Sequence, residues 1–266
     1  MSPWREVWGR VRTRWRRWRV GPLATRALGP RFRRSRDRIE LDITWACNLR
    51  CFNCNRSCEQ APTGEHMTVA QVRRFVDDSL RAGRRWARIR VLGGEPTLHP
   101  ELGAILTELD RYRAAVPSVE VQLATHGHGE RVQAAVAALP GWVVVDDSHK
   151  DGPEPLFDTF NVAPIDVAGW RDADFANGCP VTETCGIGLG PRGYYPCAVA
   201  GAIDRVVGAD AARPELPDPS DDLFDQLDQF CRMCGHFKRG DGGAVRGPVT
   251  SASWDVAYAR WRAGRS

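Results

Sequence analysis

The stretch Ile39-Glu-Leu-Asp-Ile-Thr-Trp-Ala-Cys47-Asn-Leu-Arg-Cys51-Phe-Asn-Cys54 decides the fold. Its first six residues read as a short strand, and its end is a loop with cysteines spaced C-x3-C-x2-C. Downstream the chain alternates. Residues 68–82 carry Val69, Val72, Val76 and Leu80 at helical spacing behind Thr68, a good N-cap. Residues 87–92 predict a strand that runs into Gly93-Gly94. A helix over 99–116, a strand over 119–124, a helix over 130–139, a strand over 142–145 and a weaker strand over 160–165 follow. Such alternation implies a parallel sheet with right-handed crossovers. The predicted class is therefore α/β, a partial (β/α) TIM-like barrel of five or so strands. The polar segments 47–58, 93–96, 126–129 and 146–152 each follow a strand, where parallel α/β folds gather their active sites.

Nine cysteines stand out among the 266 residues. Cys47, Cys51, Cys54 and Cys58 form one group, and Cys179, Cys185, Cys197, Cys231 and Cys234 the other. No apolar h-region opens the chain and no long apolar run spans a membrane, so the expected compartment is the reducing cytoplasm. There, clustered thiols favour metal ligation over disulfides. Three thiolates on one short loop can hold three irons of a 4Fe–4S cube and leave the fourth open to a small molecule. A structural zinc completed by Cys58, or Cys58 as a fourth iron ligand, fits the same spacing.

Cys47, Cys51 and Cys54, with Phe52 between the last two, resemble the hallmark of the radical S-adenosylmethionine (SAM) superfamily. Gly93-Gly94-Glu95-Pro96 after the second strand resembles that family's GGE motif. Thr125-His126-Gly127 resembles its T-N-G, with His in place of Asn, and Ser148 lies where a ribose contact is common. The resemblance covers about residues 39–166 and implies a SAM-binding 4Fe–4S cluster, SAM itself and a reductant such as flavodoxin or ferredoxin. It further implies a 5′-deoxyadenosyl radical that abstracts hydrogen from a substrate. Phe52, Gly93, Gly94, Glu95, Pro96 and Ser148 are then expected at the cofactor. A carboxylate at Glu95 suits the SAM ammonium.

From Arg171 the regular alternation stops and the chain turns rich in Gly, Pro and Asp, a composition that a metal cluster could help to fold. The second cysteine group resembles the shortened SPASM modules called twitch domains, which hold one auxiliary 4Fe–4S cluster. Cys179 and Cys197 would bracket a hairpin over 189–195, with Cys231 and Cys234 completing the ligands. Cys185 is the alternative to Cys179, and zinc the alternative to the cluster. The expected organisation is an extension over 1–38, a radical SAM core over 39–170, an auxiliary domain over 171–240 and a tail over 241–266. The tail's helix carries Trp254, Tyr258 and Trp261 on one face.

Polar residues on the strand-end rim are candidates for substrate contact or proton transfer: His126, His128, Asp146, Asp147, His149, Lys150 and Asn161. Of these, His126, Asp146, His149 and Lys150 are the leading catalytic candidates. Lys150 is one of two lysines beside 35 arginines.

The net charge of +4 hides an asymmetry, because residues 1–40 alone carry thirteen arginines against Glu6, Asp37 and Glu40, a net +10. Trp4, Trp8, Val11, Trp15 and Trp18 recur at helical spacing among them. Such an arm suits a membrane surface, a protein contact or self-docking, or it stays disordered when free; nucleic acid is the least favoured partner. The sequence thus points to a radical SAM oxidoreductase acting on a polar small molecule, such as a carbohydrate or aminocyclitol. A radical SAM peptide modifier is the second reading. A zinc or iron–sulfur binding module that contacts nucleic acid or membrane is the third.

Overall fold

The structure, a computed structural model, describes residues 3–153, 156–157, 159–238 and 245–264. The first two residues of the arm, and 241–244 and 265–266 of the tail, lie outside the described residues. Two helices come first, α1 (Pro3–Arg19) and α2 (Pro22–Leu28), separated by the Gly21-Pro22 break expected from the sequence. The alternating region then gives β1 (Arg38–Thr44), α3 (Val69–Arg81), β2 (Arg88–Gly93), α4 (Leu102–Ala115), β3 (Glu120–Thr125), α5 (Glu130–Ala137) and β4 (Val144–Asp147). The remaining elements are β5 (Leu156–Phe157), α6 (Pro180–Thr184), β6 (Ile187–Gly190), β7 (Gly193–Tyr195), α7 (Ala198–Val207), α8 (Phe224–Cys231), β8 (Val245–Arg246) and α9 (Ala252–Ala263).

A six-stranded sheet in the order β4-β3-β2-β1-β6-β7 organises the chain, with every neighbouring pair parallel except the hairpin β6-β7. This is an α/β fold with a parallel-dominated sheet. β1 lies at its centre and explains its two faces. Ile39, Leu41 and Ile43 are fully buried with Ile89 and Val91 of β2 and Val121 and Leu123 of β3. The apolar sides of α3 (Val72, Phe75, Val76) and α4 (Ile105, Leu106, Leu109, Tyr112) cover that face. Alternate residues Glu40, Asp42 and Thr44 point the other way, by the two-residue period of a strand. α3 starts with a complete capping box between Thr68 and Gln71.

Two sequence expectations are corrected. The weaker strand over 160–165 does not form: Phe160 packs on Trp254, its carbonyl accepts from Gly235 N, and Pro164 opens a short 3₁₀ turn. Proline has no N–H to give a ladder, and the segment is held by the C-terminal region instead. The fourth strand is displaced toward the C-terminus, so Asp146 and Asp147 belong to β4 and not to the loop after it.

The expected hairpin over 189–195 is present as β6-β7, and β6 pairs with β1 from Ile39↔Ile187 to Leu41↔Leu189. The second group of cysteines is thereby attached directly to the central sheet. A second core surrounds α7: Phe160, Tyr195, Val199, Ile203, Phe230, Trp254 and Tyr258. A third, smaller one joins Val20 after α1 to Trp170, Phe175, Leu227, Cys231 and Phe237.

Candidate active site

The loop after β1 crosses the start of the loop after β2. Gly94 N donates to Thr44 O and Glu95 N to Ala46 O, both at 2.8 Å. A Cβ on Gly93 would collide with the Thr44 carbonyl, and one on Gly94 with the Ala46 carbonyl. Glycine is required at both positions because the cysteine loop lies directly against them. Side chains and backbone further along stitch this loop to the C-terminal region. Asn53 Nδ2 donates to Gly247 O at 3.1 Å while its Oδ1 accepts from Val249 N at 2.9 Å. The buried Arg205 of α7 donates to the carbonyls of Ala61, Arg56 and Ser57. Ser57 and Tyr258 share a hydroxyl hydrogen bond of 2.8 Å.

At the carboxyl ends of the strands opens a cavity of about 360 Å³. Cys47, Cys51, Cys54 and Cys58 line one side, with Gly93 and Gly94 beside them. Thr125, His126, Asp146, Ser148 and Lys150 line another. The structure thus brings together the three hallmark cysteines, the two glycines, Ser148 and three of the four leading catalytic candidates. Phe52 is exposed, and Pro96 is buried in a 3₁₀ turn. His149 is largely solvent-exposed with its ring nitrogen 3.2 Å from Asp147. Phe52, Pro96, His128, Asp147, His149 and Asn161 are not among the cavity's lining residues.

Glu95 is completely buried and also outside that lining. Its carboxylate accepts from Thr97 N (3.1 Å), Thr97 Oγ1 (2.7 Å), Thr125 Oγ1 (2.9 Å) and His126 N (3.0 Å). It braces the end of β3 against the turn after β2. The His126 ring sits with Nε2 3.2 Å from the same carboxylate, and Nδ1 accepts from His128 N. Burial holds its pKa below the usual histidine range, against the pull of Glu95.

The wall also contains residues that the sequence reading passed over. Arg90 of β2 reaches Glu40 Oε1 at 3.0 Å and Asp146 Oδ2 at 2.5 Å, tying β1, β2 and β4 across the cavity face. Arg56 lies 3.3 Å from Asp42 and 3.7 Å from Glu40. Asp42 is pushed up to about 7 by burial, partly offset by Arg56. Glu40 and Arg90 alternate with core residues on their strands, and that alternation was the available signal. Asn55, His236 and Cys185 complete this side.

Cys54 is lowered to about 6 by a hydrogen bond from Cys58, whereas burial pushes Cys47 up to about 12. The second group divides. Cys179, Cys197, Cys231 and Cys234 line one small pocket with Val199, Ile203 and Phe230, and all four are buried. Burial, reinforced by their mutual proximity, raises the thiols of Cys197 and Cys231 far above their ordinary value. Cys185 lies instead on the large cavity, close to Glu40. No disulfide joins any of the nine. Among the described residues no three His, Cys, Asp or Glu side chains close on a point where one metal ion could be held.

A parallel sheet with a three-cysteine loop after its central strand and a double glycine after the next is the arrangement that the resemblance to the radical SAM superfamily implies. Among curated proteins the chain is similar to the GTP 3′,8-cyclase of Chlorobaculum tepidum, 37% identical over 102 residues, which are 38% of this chain and 28% of that protein. It also resembles the probable GTP 3′,8-cyclase of Thermococcus kodakarensis, 27% identical over 128 residues, 48% of this chain and 39% of the relative. The chain therefore matches between about a quarter and two fifths of these relatives' length. No family model matches it. Among solved structures, BtrN in complex with AdoMet and 2-DOIA aligns over 79% of this chain and 92% of its own, at 15% identity and a TM-score of 0.41. An open conformation of BtrN aligns over 77% and 88%, at 16% identity and 0.40. The resemblance to radical SAM proteins implies a SAM-binding 4Fe–4S cluster and SAM. Three thiols on one cavity-lining loop, beside glycines without side chains, are a donor set that fits both.

Proposed function

We propose that the chain is a radical SAM oxidoreductase that acts on a polar small molecule in the strand-end cavity, with an auxiliary 4Fe–4S cluster among the four buried thiols of the smaller pocket. The observation that carries the reading is one cavity lined jointly by Cys47, Cys51, Cys54, Gly93, Gly94 and a charged wall of Glu40, Arg90, Asp146 and Lys150. When bound, the cluster and SAM supply a 5′-deoxyadenosyl radical able to take a hydrogen atom from substrate.

The protein's part is placement. Cys47, Cys51 and Cys54 would hold the cluster, and the Gly93-Gly94 backbone, crossed by residues 44–46, would let SAM lie close. Glu95 acts from behind, fixing Thr125 and His126 at the cavity edge. His126 Nδ1 accepts from the His128 N–H, which leaves the ring proton on Nε2, beside Glu95. Arg90 holds Glu40 and Asp146 as fixed acceptors, suited to the hydroxyl or ammonium groups of a polar substrate. Lys150 supplies a cation on the same wall. Cys179, Cys197, Cys231 and Cys234 would ligate the auxiliary cluster, a donor set of four buried thiols without disulfides. A low-potential protein donor such as flavodoxin or ferredoxin would supply electrons.

Anaerobic reconstitution tests this directly. The expected outcome is about eight iron and eight sulfide per chain, the content of two 4Fe–4S clusters, together with reductive cleavage of SAM to 5′-deoxyadenosine. Zinc in place of iron, or iron without SAM cleavage, would refute the reading. Deuterated carbohydrates and aminocyclitols would then reveal the substrate by transfer of deuterium into 5′-deoxyadenosine.

A further inference from the structure

We propose that the tryptophan stripe of α1 docks on an anionic lipid surface, so that the protein works as a peripheral membrane protein. α1 carries Trp4, Trp8, Val11, Trp15 and Trp18 along one face, and all five are more than half exposed. They are not waiting for the protein's own body. The body lies on the other side of the helix, where the Arg17 guanidinium stacks over Trp170 at 5.6 Å. Just beyond the helix end, Val20 enters the core with Trp170, Phe175 and Phe237, and its carbonyl accepts from Asp174 N at 2.8 Å. Residues 17 and 20 lie nearly opposite the stripe 4, 8, 11, 15, 18 at about 100° per residue. The fold thus anchors one face of α1 and turns five large apolar side chains outward.

The chemistry on either side of the stripe selects the occupant. Helical spacing sets Arg12 and Arg19 along one edge and Arg14 along the other, and α1 has seven arginines against the single acid Glu6. Arg31 lies over the inner part of the stripe, 5.1 Å from the Trp15 ring. Leu23 and Leu28 of α2 add further exposed apolar groups. An apolar band of indoles with cations on both edges matches a lipid interface: indoles enter the headgroup boundary while guanidinium groups stay with phosphates. A second protein would have to bury five large apolar groups and match cations on both flanks. An anionic bilayer offers both at once. Among the described residues no helix is long and apolar enough to cross a membrane, so the contact is with the surface.

The test uses the full chain and sedimentation with two kinds of vesicle, phosphatidylcholine alone and equal parts of phosphatidylcholine and phosphatidylglycerol. The expected result is co-sedimentation with the anionic vesicles only, weakened by salt. The double variants Trp4→Ser/Trp8→Ser and Arg12→Glu/Arg14→Glu change exposed positions. Each should lower partitioning about tenfold or more, at about 1 kcal/mol per surface arginine, with far-UV circular dichroism unchanged. Failure of the wild type to bind anionic vesicles would overturn the proposal. So would equal binding to both vesicle types, concentration-dependent dimerisation through the stripe, or a polynucleotide that binds more tightly than the vesicles.

Discussion

Cys47, Cys51 and Cys54 stand on the wall of an open cavity, whereas Cys179, Cys197, Cys231 and Cys234, all buried, line a much smaller pocket between apolar side chains. The first set sits on one loop, within eight residues of sequence. The second is assembled from the loop before α6, the hairpin end before α7, and the end of α8. A thiol set on a loop can be lost without opening a core. A set at the meeting point of three elements is part of the packing, and a metal bound there contributes to folding. On the proposed function the two regions differ in what depends on them: chemistry at the first, cohesion at the second.

Single cysteine variants should separate these dependencies most sharply. In reconstituted protein, Cys51→Ala is expected to abolish 5′-deoxyadenosine formation and about half of the iron, with little change in the thermal midpoint. Cys231→Ala should remove the other half of the iron and lower stability by several kcal/mol, about the scale of losing a structural metal site. It should retain SAM cleavage and lose product. Equal destabilisation by both variants would break the comparison. Cys185→Ala should leave the iron content untouched, since that thiol lies on the open cavity and not in the smaller pocket of the other four.

Gly94→Ala comes next. Its new methyl group would meet the Ala46 carbonyl, backbone that cannot rotate aside. A loss of about 1–3 kcal/mol is expected, the usual range for overpacking, along with weakened SAM binding because the cysteine loop is displaced. Urea denaturation measures the first and equilibrium dialysis the second. A well-folded Gly94→Ala protein with unchanged SAM affinity would mean that the crossing of the two loops does not shape the open site.

Much of this contrast could be read in the sequence, and the unread part has a physical cause. The apolar half of β1, Ile39, Leu41 and Ile43, announces a strand, and the cysteine spacing announces the loop after it. The polar half, Glu40 and Asp42, has no meaning until Arg90 and Arg56 arrive from elsewhere in the chain to pair with it. Cys179 and Cys185 cannot be told apart in the sequence because they are six residues apart and either could bracket the hairpin with Cys197. The short helix α6 between them is what points them to different spaces. Glu95 was matched to a motif by type and place. Its four protein donors come from the turn after β2 and the end of β3, a set that only the folded sheet brings together. Residues 160–165 show an apolar pattern that suits a strand, yet Phe160 is captured by Trp254 from the far end of the chain.

Thr125→Val tests the support behind the open site. The hydroxyl of Thr125 lies within 3.0 Å of both Glu95 oxygens and also accepts from Gly127 N. Replacing it with a methyl leaves a buried carboxylate short of a donor, at a cost of about 1–3 kcal/mol. His126 should loosen with it. The expected readout is a raised apparent pKa of the His126 ring by NMR titration, because burial, the largest influence holding it down, weakens as the cavity edge opens. An unchanged titration would show that Glu95 does not position His126.

The smallest expected effect lies at the seam of the second region. Asp166 caps α9, accepting from Ser253 N at 2.9 Å and Ser253 Oγ at 2.8 Å. Burial pushes this carboxyl up, but the hydrogen bonds from Ser251 and Ser253 outweigh it and its pKa falls below the ordinary 3.8. A lowered aspartate pKa favours the folded state where the group is ionised in both states, so the contribution is complete above the unfolded value. It is lost as pH falls through the folded one. Asp166→Asn should therefore cost at most about 1 kcal/mol near neutrality after solvent screening. The difference from wild type should stay level down to about pH 5 and shrink below pH 4. Denaturant midpoints across that range measure it. A difference that instead grew with acid would mean that the carboxyl is held in its protonated form.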